Sequence, residues 1–425
     1  MPATLKTVTL GCKVNQYETE FVREALAGIG YCDAAPDEPA DLCLVNTCTV
    51  TAEGDAKCRQ AIRRLARENP AARIVVMGCY ATRAPDEVGA LPGVAEVITD
   101  KRELPDWLGR FGVADAPEGI SRFAGHSRAF VKVQDGCLLR CSYCIIPHVR
   151  PQLTSRPIPQ ILDEICRLRD NGYREIVLTG IHLGHYGVDW NWHKPKADWI
   201  RLSHLVEQIA RIEGDFRLRL SSLEATEVTR ELIRVMADHG DKICPHLHVC
   251  LQSGSDAVLR RMRRRWSARM FIDRCELVRQ TLDRPAFTTD VVVGFPGETD
   301  EDFEQTCRVV REAGFSKVHI FPFSARRGTP AAEMPDRIPG PVRTERTQRL
   351  TAVEGELREA YFRSLIGRNL RVLVEARSSA TAGHAVGTSC RYAPVELPGG
   401  AMVGQLFNAV AREVIPGPRI GALPI

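Results

Sequence analysis

No stretch of this sequence approaches the ~20 unbroken apolar residues that a membrane-spanning helix requires. Its opening, MPATLKTVTLGC, enters a strand-like pattern at once, in place of the apolar core of a signal peptide. A soluble, cytoplasmic protein with no membrane partner is expected. Strong charge of one sign is also missing: a net charge of +4 argues neither for nor against nucleic acid, so local clusters must decide. Structural zinc sites pair two C-x2-C knuckles or add histidines, and neither pattern is present. Nor do the 15 cysteines form the dense framework of a small secreted domain. An odd number spread over 425 residues of enzyme-like composition favours metal ligation in a reducing compartment. That length exceeds one ordinary core, and two or three domains are expected.

What is present is a cysteine triplet. Gly136 to Pro147 reads GCLLRCSYCIIP and places Cys137, Cys141 and Cys144 in a C-x3-C-x2-C pattern on a tight loop. Three thiolates facing one 4Fe-4S cube leave one iron open to a substrate or cofactor. Upstream, short β-rich runs (Leu5–Leu10, Asp41–Asn46, Arg73–Met77, Glu96–Ile98) alternate with helical patterns (Thr19–Gly28, Asp55–Glu68, Arg102–Phe111). This order implies a parallel sheet with helices on both faces. Cys12, Cys48 and Cys79 fall just past three of those strands, where loops at the carboxyl edge converge on one crevice. Spacing leaves two readings open: three ligands of a second site, or three small buried residues. Cys43 in a strand run, and Cys58, Cys166, Cys275 and Cys307 in helical patterns, read as core. Cys32, Cys244, Cys250 and Cys390 have no partner at a ligand spacing.

A Gly- and Pro-rich stretch, Gly112 to Ser127, marks a linker. Six further strand runs follow: Ala129–Gln134, Glu175–Thr179, Arg217–Ser221, His246–Leu251, Thr288–Gly294 and Lys317–Phe321, with helical stretches such as Ile158–Asn171 and Leu202–Ile212 between them. Six β/α units suggest a partial barrel whose chemistry gathers at the C-terminal strand ends, and the triplet follows the first strand. Glycine-rich or polar signatures close the others: LTGIHLGHYG, RLRLSSLEA, LQSGSD and VVVGFPGETDEDF. Each alone is an ordinary turn signal. Together, around a three-cysteine loop, they describe a cofactor site.

By these motifs the chain resembles the radical S-adenosylmethionine superfamily. TLGCKVNQYE, LVNTCTVT, VVMGCYA, CIIP, LTGIHLG, LQSGSD, TTDVVVGFPGETDEDF and FPFSARRGTPAAEM extend the likeness to its methylthiotransferase family along essentially the whole chain. The resemblance implies two 4Fe-4S clusters, one on Cys137, Cys141 and Cys144 and an auxiliary one on Cys12, Cys48 and Cys79. It also implies S-adenosylmethionine on the open iron, Tyr143 near the adenine, and Gly180, Ser222, Glu224, Gln252, Asp290 and Gly294 as candidates for holding the cofactor. In that family one S-adenosylmethionine methylates a sulfur at the auxiliary cluster, another supplies a 5'-deoxyadenosyl radical, and a donor such as flavodoxin or ferredoxin supplies electrons.

The opening TLGCKVNQYET, with Lys13 and Val14, and FPFSARRGTPAA are similar to the branch that converts N6-threonylcarbamoyladenosine beside the tRNA anticodon to its 2-methylthio derivative. Other branches act on isopentenyladenosine of tRNA or on a ribosomal-protein aspartate. A non-catalytic iron–sulfur carrier or redox sensor is the reading from another class. After the helical stretch Val342–Leu365, residues 369–425 turn β-rich and suggest a small barrel. It resembles the RNA-binding TRAM domain. The expected division is 1–115, 125–365 and 366–425. An arginine run, with Arg263 and Arg265 beside Trp266, offers phosphate contacts and a stacking aromatic, or simply a solvated helix face. Where the family has an Arg-Gly turn and then Arg-Ser-Arg, this chain has Pro151 after Arg150, and Thr154 before Ser155 and Arg156. Proline fixes φ where glycine was free, and Arg150 and Arg156 remain as expected RNA or cofactor contacts. The Trp- and His-rich segment Val188–Trp199 reads as a surface excursion.

Overall fold

The computed structural model describes residues 2–378, 381–399 and 402–425, so residues 379–380 and 400–401 of the expected C-terminal domain lie outside the described residues. The chain forms two compact units: Met1–Ala124, Phe130–Asn171 and Ser324–Ala332 make one, and Gly125–Ala129, Gly172–Phe323 and Glu333–Ile425 the other.

The first unit is built on a five-stranded parallel sheet, in the order Cys32–Asp33, Thr4–Thr9, Leu42–Thr47, Arg73–Gly78, Val94–Val97. The four expected strands are there, displaced by a residue or two at their ends, and the two-residue edge strand is added. Alternation explains how both faces are covered. Leu42, Leu44, Val75 and Met77 pack with Leu26 and Trp107 on one face, while Cys43, Val45, Ile74 and Val76 pack with Ile62 and Leu65 of the helix Ala52–Glu68 on the other. The expected helix over 102–111 is a 3-10 turn, Lys101–Glu103, leading into Leu104–Gly109, because Pro105 occupies the first turn of the helix. The unit continues through the strand Ala129–Asp135, whose end pairs antiparallel with Thr154–Ser155, and the helix Ile158–Asp170.

In the second unit Glu175–Gly180 pairs parallel with Arg217–Leu220. The chain resumes after Ser221 as Ser222–Leu223, which begins a four-stranded parallel sheet with His246–Val249, Ala286–Val293 and Lys317–Pro322. The helix Gly340–Ser364 leads to a closed five-stranded barrel, in the order Asn369–Arg377, His384–Ser389, Pro394–Pro398, Arg419–Pro424, Leu406–Ile415. Leu370, Val372, Val395, Leu397, Ala409 and Ile420 fill it.

A buried charge cluster joins that barrel to the β/α sheet within the second unit. Glu175 accepts from Arg219 Nε at 2.9 Å and pairs with Arg217 and Arg128. Arg217 Nη2 donates to Thr388 O at 2.8 Å, and Arg219 Nη2 to Ser389 O at 3.0 Å. Burial opposes ionisation of Glu175, yet Arg217, Arg219 and Arg128 prevail and hold its carboxyl far below the usual range. The segment Val188–Trp199 is more ordered than a surface excursion: the helix Val188–Asn191 ends on buried Asn191, whose Nδ2 donates to Ile200 O at 2.8 Å and whose Oδ1 accepts from Ile200 N at 3.0 Å. Among the described residues no helix is long and apolar enough to cross a membrane.

Candidate functional site

Three strand ends of the first unit deliver cysteines. Cys12 caps the helix Lys13–Ala27, Cys48 follows Leu42–Thr47, and Cys79 opens the short helix Cys79–Arg83 directly after Arg73–Gly78. Two glycines allow the close approach. Gly11 and Gly78 have φ of +101° and +103°, a region that side chains resist. A Cβ on Gly11 would lie 2.9 Å from Cys48 Sγ, and one on Gly78 2.4 Å from Thr47 O. Asn15 ties two of the loops together, donating from Nδ2 to Leu10 O at 2.9 Å and to Thr47 O at 3.0 Å. The Cys48 thiol is pushed up by burial first, and then by the nearby Cys79 and Cys12 sulfurs. Three thiols in one crevice resist joint ionisation unless a cationic centre takes the charge, and three soft sulfur donors fit an iron–sulfur cube.

The triplet loop belongs to the same compact unit. It is closed where Cys137 N donates to Arg150 O at 3.3 Å and Cys144 N to Cys141 O at 3.1 Å. Gly136, at φ +77°, is packed so tightly that a Cβ would fall 1.8 Å from Gln152 O. Buried Ser142 accepts through its carbonyl from Ala331 N at 2.7 Å, which anchors the loop to the Ser324–Ala332 segment. Cys79 shares an apolar cluster with Ile145, Ile146 and Val149, so the first cysteine set abuts the turn that follows the triplet. Cys141 is buried, while Cys137, Tyr143 and Cys144 are half-buried.

Arg150 and Arg156, expected to meet RNA or cofactor, are occupied inside the protein. Arg150 is 5 % exposed and its Nη1 donates to Glu18 Oε1 at 2.9 Å and to Asp135 Oδ1 at 2.7 Å. Arg156 Nη1 donates to Glu164 Oε2 at 2.6 Å, to Tyr17 Oη at 3.1 Å and to Lys132 O at 2.8 Å. A guanidinium so engaged has little left for a phosphate.

In the second unit the remaining candidates fall into three groups. Gly180 ends its strand, and in the loop after it His182 bonds through Nε2 to Glu227, just beyond Ser222 and Glu224. His185 stacks on His182 at 3.6 Å, and burial, with His182 adding to it, pulls its pKa down to about 4. Gln252 and Asp290 meet through their backbones, Gln252 N donating to Asp290 O at 2.8 Å with Gln252 at φ +67°. The Asp290 side chain faces His248 Nε2 at 3.4 Å. Gly294, at φ +75°, is closely packed: a Cβ there would strike Arg343 Cγ at 2.3 Å, and its N–H donates to Glu298 Oε2 at 2.8 Å. Arg263 and Arg265 are exposed. Trp266 corrects the stacking expectation, because it is 5 % exposed and lies beneath Arg264 at 4.1 Å, with Arg264 paired to Glu224.

Comparisons with known proteins follow this division of the chemistry. Residues 4–100 match a family described as "Uncharacterized protein family UPF0004", and residues 131–310 match the Radical SAM superfamily. Over 390 residues the chain is 41% identical to the threonylcarbamoyladenosine tRNA methylthiotransferase MtaB of Bacillus subtilis, covering 88% of this chain and 85% of that one. The MtaB of Chlamydia pneumoniae is 42% identical, over 88% of this chain and 87% of its own. The chain belongs to the MtaB methylthiotransferases. A tRNA-2-methylthio-N(6)-dimethylallyladenosine synthase of Mycobacterium marinum stands further off at 33%, covering 97% of this chain and 84% of its own. Among solved structures, the radical S-adenosylmethionine methyltransferase TsrM of Kitasatospora setae has a TM-score of 0.56 at 15% identity, covering 78% of this chain and 77% of that one. At that identity the likeness concerns the fold.

Several residues of this MtaB-family site escaped sequence reasoning. Asn15 and Glu18 lie three and six residues after Cys12 on one helix face, a spacing that was available as a signal. Cys58, placed by its pattern in the core, is fully buried there and also braces the site: its Sγ donates to Cys48 O at 3.3 Å, and burial pushes its thiol up to about 12. Arg326, from FPFSARRGTP, donates through Nη2 to Thr49 Oγ1 at 2.8 Å and to Asp55 Oδ2 at 2.7 Å, beside Arg83 on the same acceptors. No local pattern marks these partners.

Proposed function

We propose that this chain transfers a methylthio group to C2 of N6-threonylcarbamoyladenosine beside the tRNA anticodon, giving the 2-methylthio derivative. The observation that carries the reading is the meeting of two cysteine triads in one compact unit, in a chain 41–42% identical to MtaB enzymes. Cys137, Cys141 and Cys144 hold the 4Fe-4S cluster that takes S-adenosylmethionine; Cys12, Cys48 and Cys79 hold the auxiliary cluster. When bound, these groups supply a 5'-deoxyadenosyl radical and a sulfur centre. The protein's own work is positional. Gly11 and Gly78 let the three auxiliary loops close, Asn15 clamps two of them, and Arg326 with Arg83 and Asp55 fixes the turn after Cys48. Tyr143, Gly180, Ser222, Glu224, Gln252, Asp290 and Gly294 are the candidates for orienting S-adenosylmethionine. Exposed Arg263 and Arg265 and the C-terminal barrel, read as a TRAM domain, are the candidates for tRNA. A flavodoxin or ferredoxin in the cytoplasm is the proposed electron donor.

Nucleoside mass spectrometry tests the substrate. Expressed in cells whose own methylthiotransferase of this branch has been deleted, the chain should restore 2-methylthio-N6-threonylcarbamoyladenosine in tRNA. Restoration of the isopentenyladenosine derivative alone, or of neither, overturns the assignment. Anaerobic incubation with dithionite and S-adenosylmethionine separates an enzyme from an electron carrier, since a carrier releases no 5'-deoxyadenosine.

A further inference from the structure

We propose that Arg150 is a positioning residue that joins the two cysteine sets and supplies the counter-charge of the auxiliary one. The inference rests on the two-cluster reading above. Arg150 touches both sets at once. Its carbonyl accepts from Cys137 N at 3.3 Å, at the start of the triplet loop, and its Nε points at Cys79 Sγ at 3.5 Å. The rest of the guanidinium is held on Asn15 Oδ1 at 3.1 Å, on Glu18 at 2.9 and 3.0 Å, and on Asp135 at 2.7 and 2.8 Å. Through Asn15, which clamps the loops before Cys12 and Cys48, the same side chain reaches all three auxiliary strand ends.

The charge count of this mostly enclosed group does not close by itself. Lys132 Nζ donates to Glu18 Oε1 at 2.9 Å and to Asp135 Oδ2 at 2.7 Å; Lys101 Nζ pairs with Glu18 and donates to Asn15 Oδ1 at 3.4 Å. Three cations (Arg150, Lys132, Lys101) therefore face two carboxylates (Glu18, Asp135), a formal surplus of one positive charge. Each carboxylate accepts from both Lys132 and Arg150 at 2.7–3.0 Å, the geometry of charged pairs, so both count as charged. A cation left without a counter-charge in so enclosed a site is unfavourable. The group facing Arg150 Nε outside the network is the Cys79 sulfur, and a neutral thiol is a weak acceptor. A thiolate ligated to a cluster brings the missing negative charge and a stronger acceptor to that point. The network thus acts as a preformed counter-ion, placed where electron density on the auxiliary cluster changes.

The test uses the full-length Cys137→Ala/Cys141→Ala/Cys144→Ala variant, reconstituted anaerobically, in which only the auxiliary cluster assembles. Its reduction potential is read by titration with electron paramagnetic resonance. Arg150→Gln removes one positive charge and should move the potential to a more negative value, while Arg150→Lys should stay near the parent. Asp135→Asn removes a negative charge and should move it the opposite way. A structural role alone does not produce shifts of opposite sign. An Arg150→Gln protein with full auxiliary iron and the parent potential overturns the inference. Where Arg150→Gln fails to hold iron, Asp135→Asn decides, and a potential that is unchanged or more negative overturns it. Loss of iron from all three variants, Arg150→Lys included, overturns the charge role as well. If the triple-cysteine parent itself takes up no iron, it is the two-cluster reading that fails.

Discussion

On the proposed two-cluster reading the cysteines divide the labour, and single substitutions separate the parts. Cys137→Ala, Cys141→Ala or Cys144→Ala should abolish 5'-deoxyadenosine formation. Cys12→Ala, Cys48→Ala or Cys79→Ala should leave that product measurable while stopping methylthio transfer. Iron should fall from about eight to about four per chain in either series, and a Cys12→Ala protein that keeps the full amount shows that the N-terminal cysteines hold no cluster. Gly78 gives a sharper test of loop geometry. Its φ of +103° and the 2.4 Å gap between an added Cβ and Thr47 O make Gly78→Ala strained and overcrowded. About 1–3 kcal/mol of strain is expected, read as a lowered melting temperature together with loss of auxiliary iron. Gly109→Ala, where an added Cβ meets nothing within 4 Å, should cost no iron.

Between elements, one buried carboxylate organises the central part of the contact between the C-terminal barrel and the β/α sheet. Glu175 is fully buried and holds Arg217 and Arg219, which in turn donate to the barrel carbonyls of Thr388 and Ser389. Glu175→Gln leaves buried guanidiniums uncompensated and should cost about 3–5 kcal/mol. Differential scanning calorimetry of the full chain reads that loss. The pH dependence follows from the depressed carboxyl. The unfolded value is about 4.3, so the stabilisation is complete above that pH and is lost as pH falls through it toward the lower folded value. Stability should therefore rise with pH across this acid window. Glu175→Gln should flatten that rise, and an unchanged slope would show that Glu175 is not the group responsible.

For the whole chain, tRNA binding should depend on salt through the exposed Arg263 and Arg265. The double variant Arg263→Glu/Arg265→Glu should weaken binding to an anticodon stem-loop and lower the slope of log affinity against log salt by about one for each phosphate no longer neutralised. Fluorescence anisotropy at several salt concentrations measures this, and an unaltered slope removes these arginines from the interface. Several other arginines are committed to internal ion pairs, so a net charge of +4 does not measure the charge free to meet a phosphate. Arg150, Arg156, Arg217, Arg219, Arg264 and Arg326 are all engaged within their units.

The sequence by itself determined the parallel sheets, the order of the β/α units, the terminal barrel and the positions of the cysteines just past strand ends, because period-two patterns and residues at strand ends are local signals. It left Cys12, Cys48 and Cys79 divided between ligand and core until a family resemblance was added. Tertiary structure alone decided that Ser324–Ala332 returns to the first unit, that Trp266 is covered by Arg264, and that Arg150 is an internal cation. The physical reason is the range of the interaction. Arginines in loops look alike along a chain, and a buried one is recognised only when carboxylates as distant as Glu18 and Asp135 are folded against it.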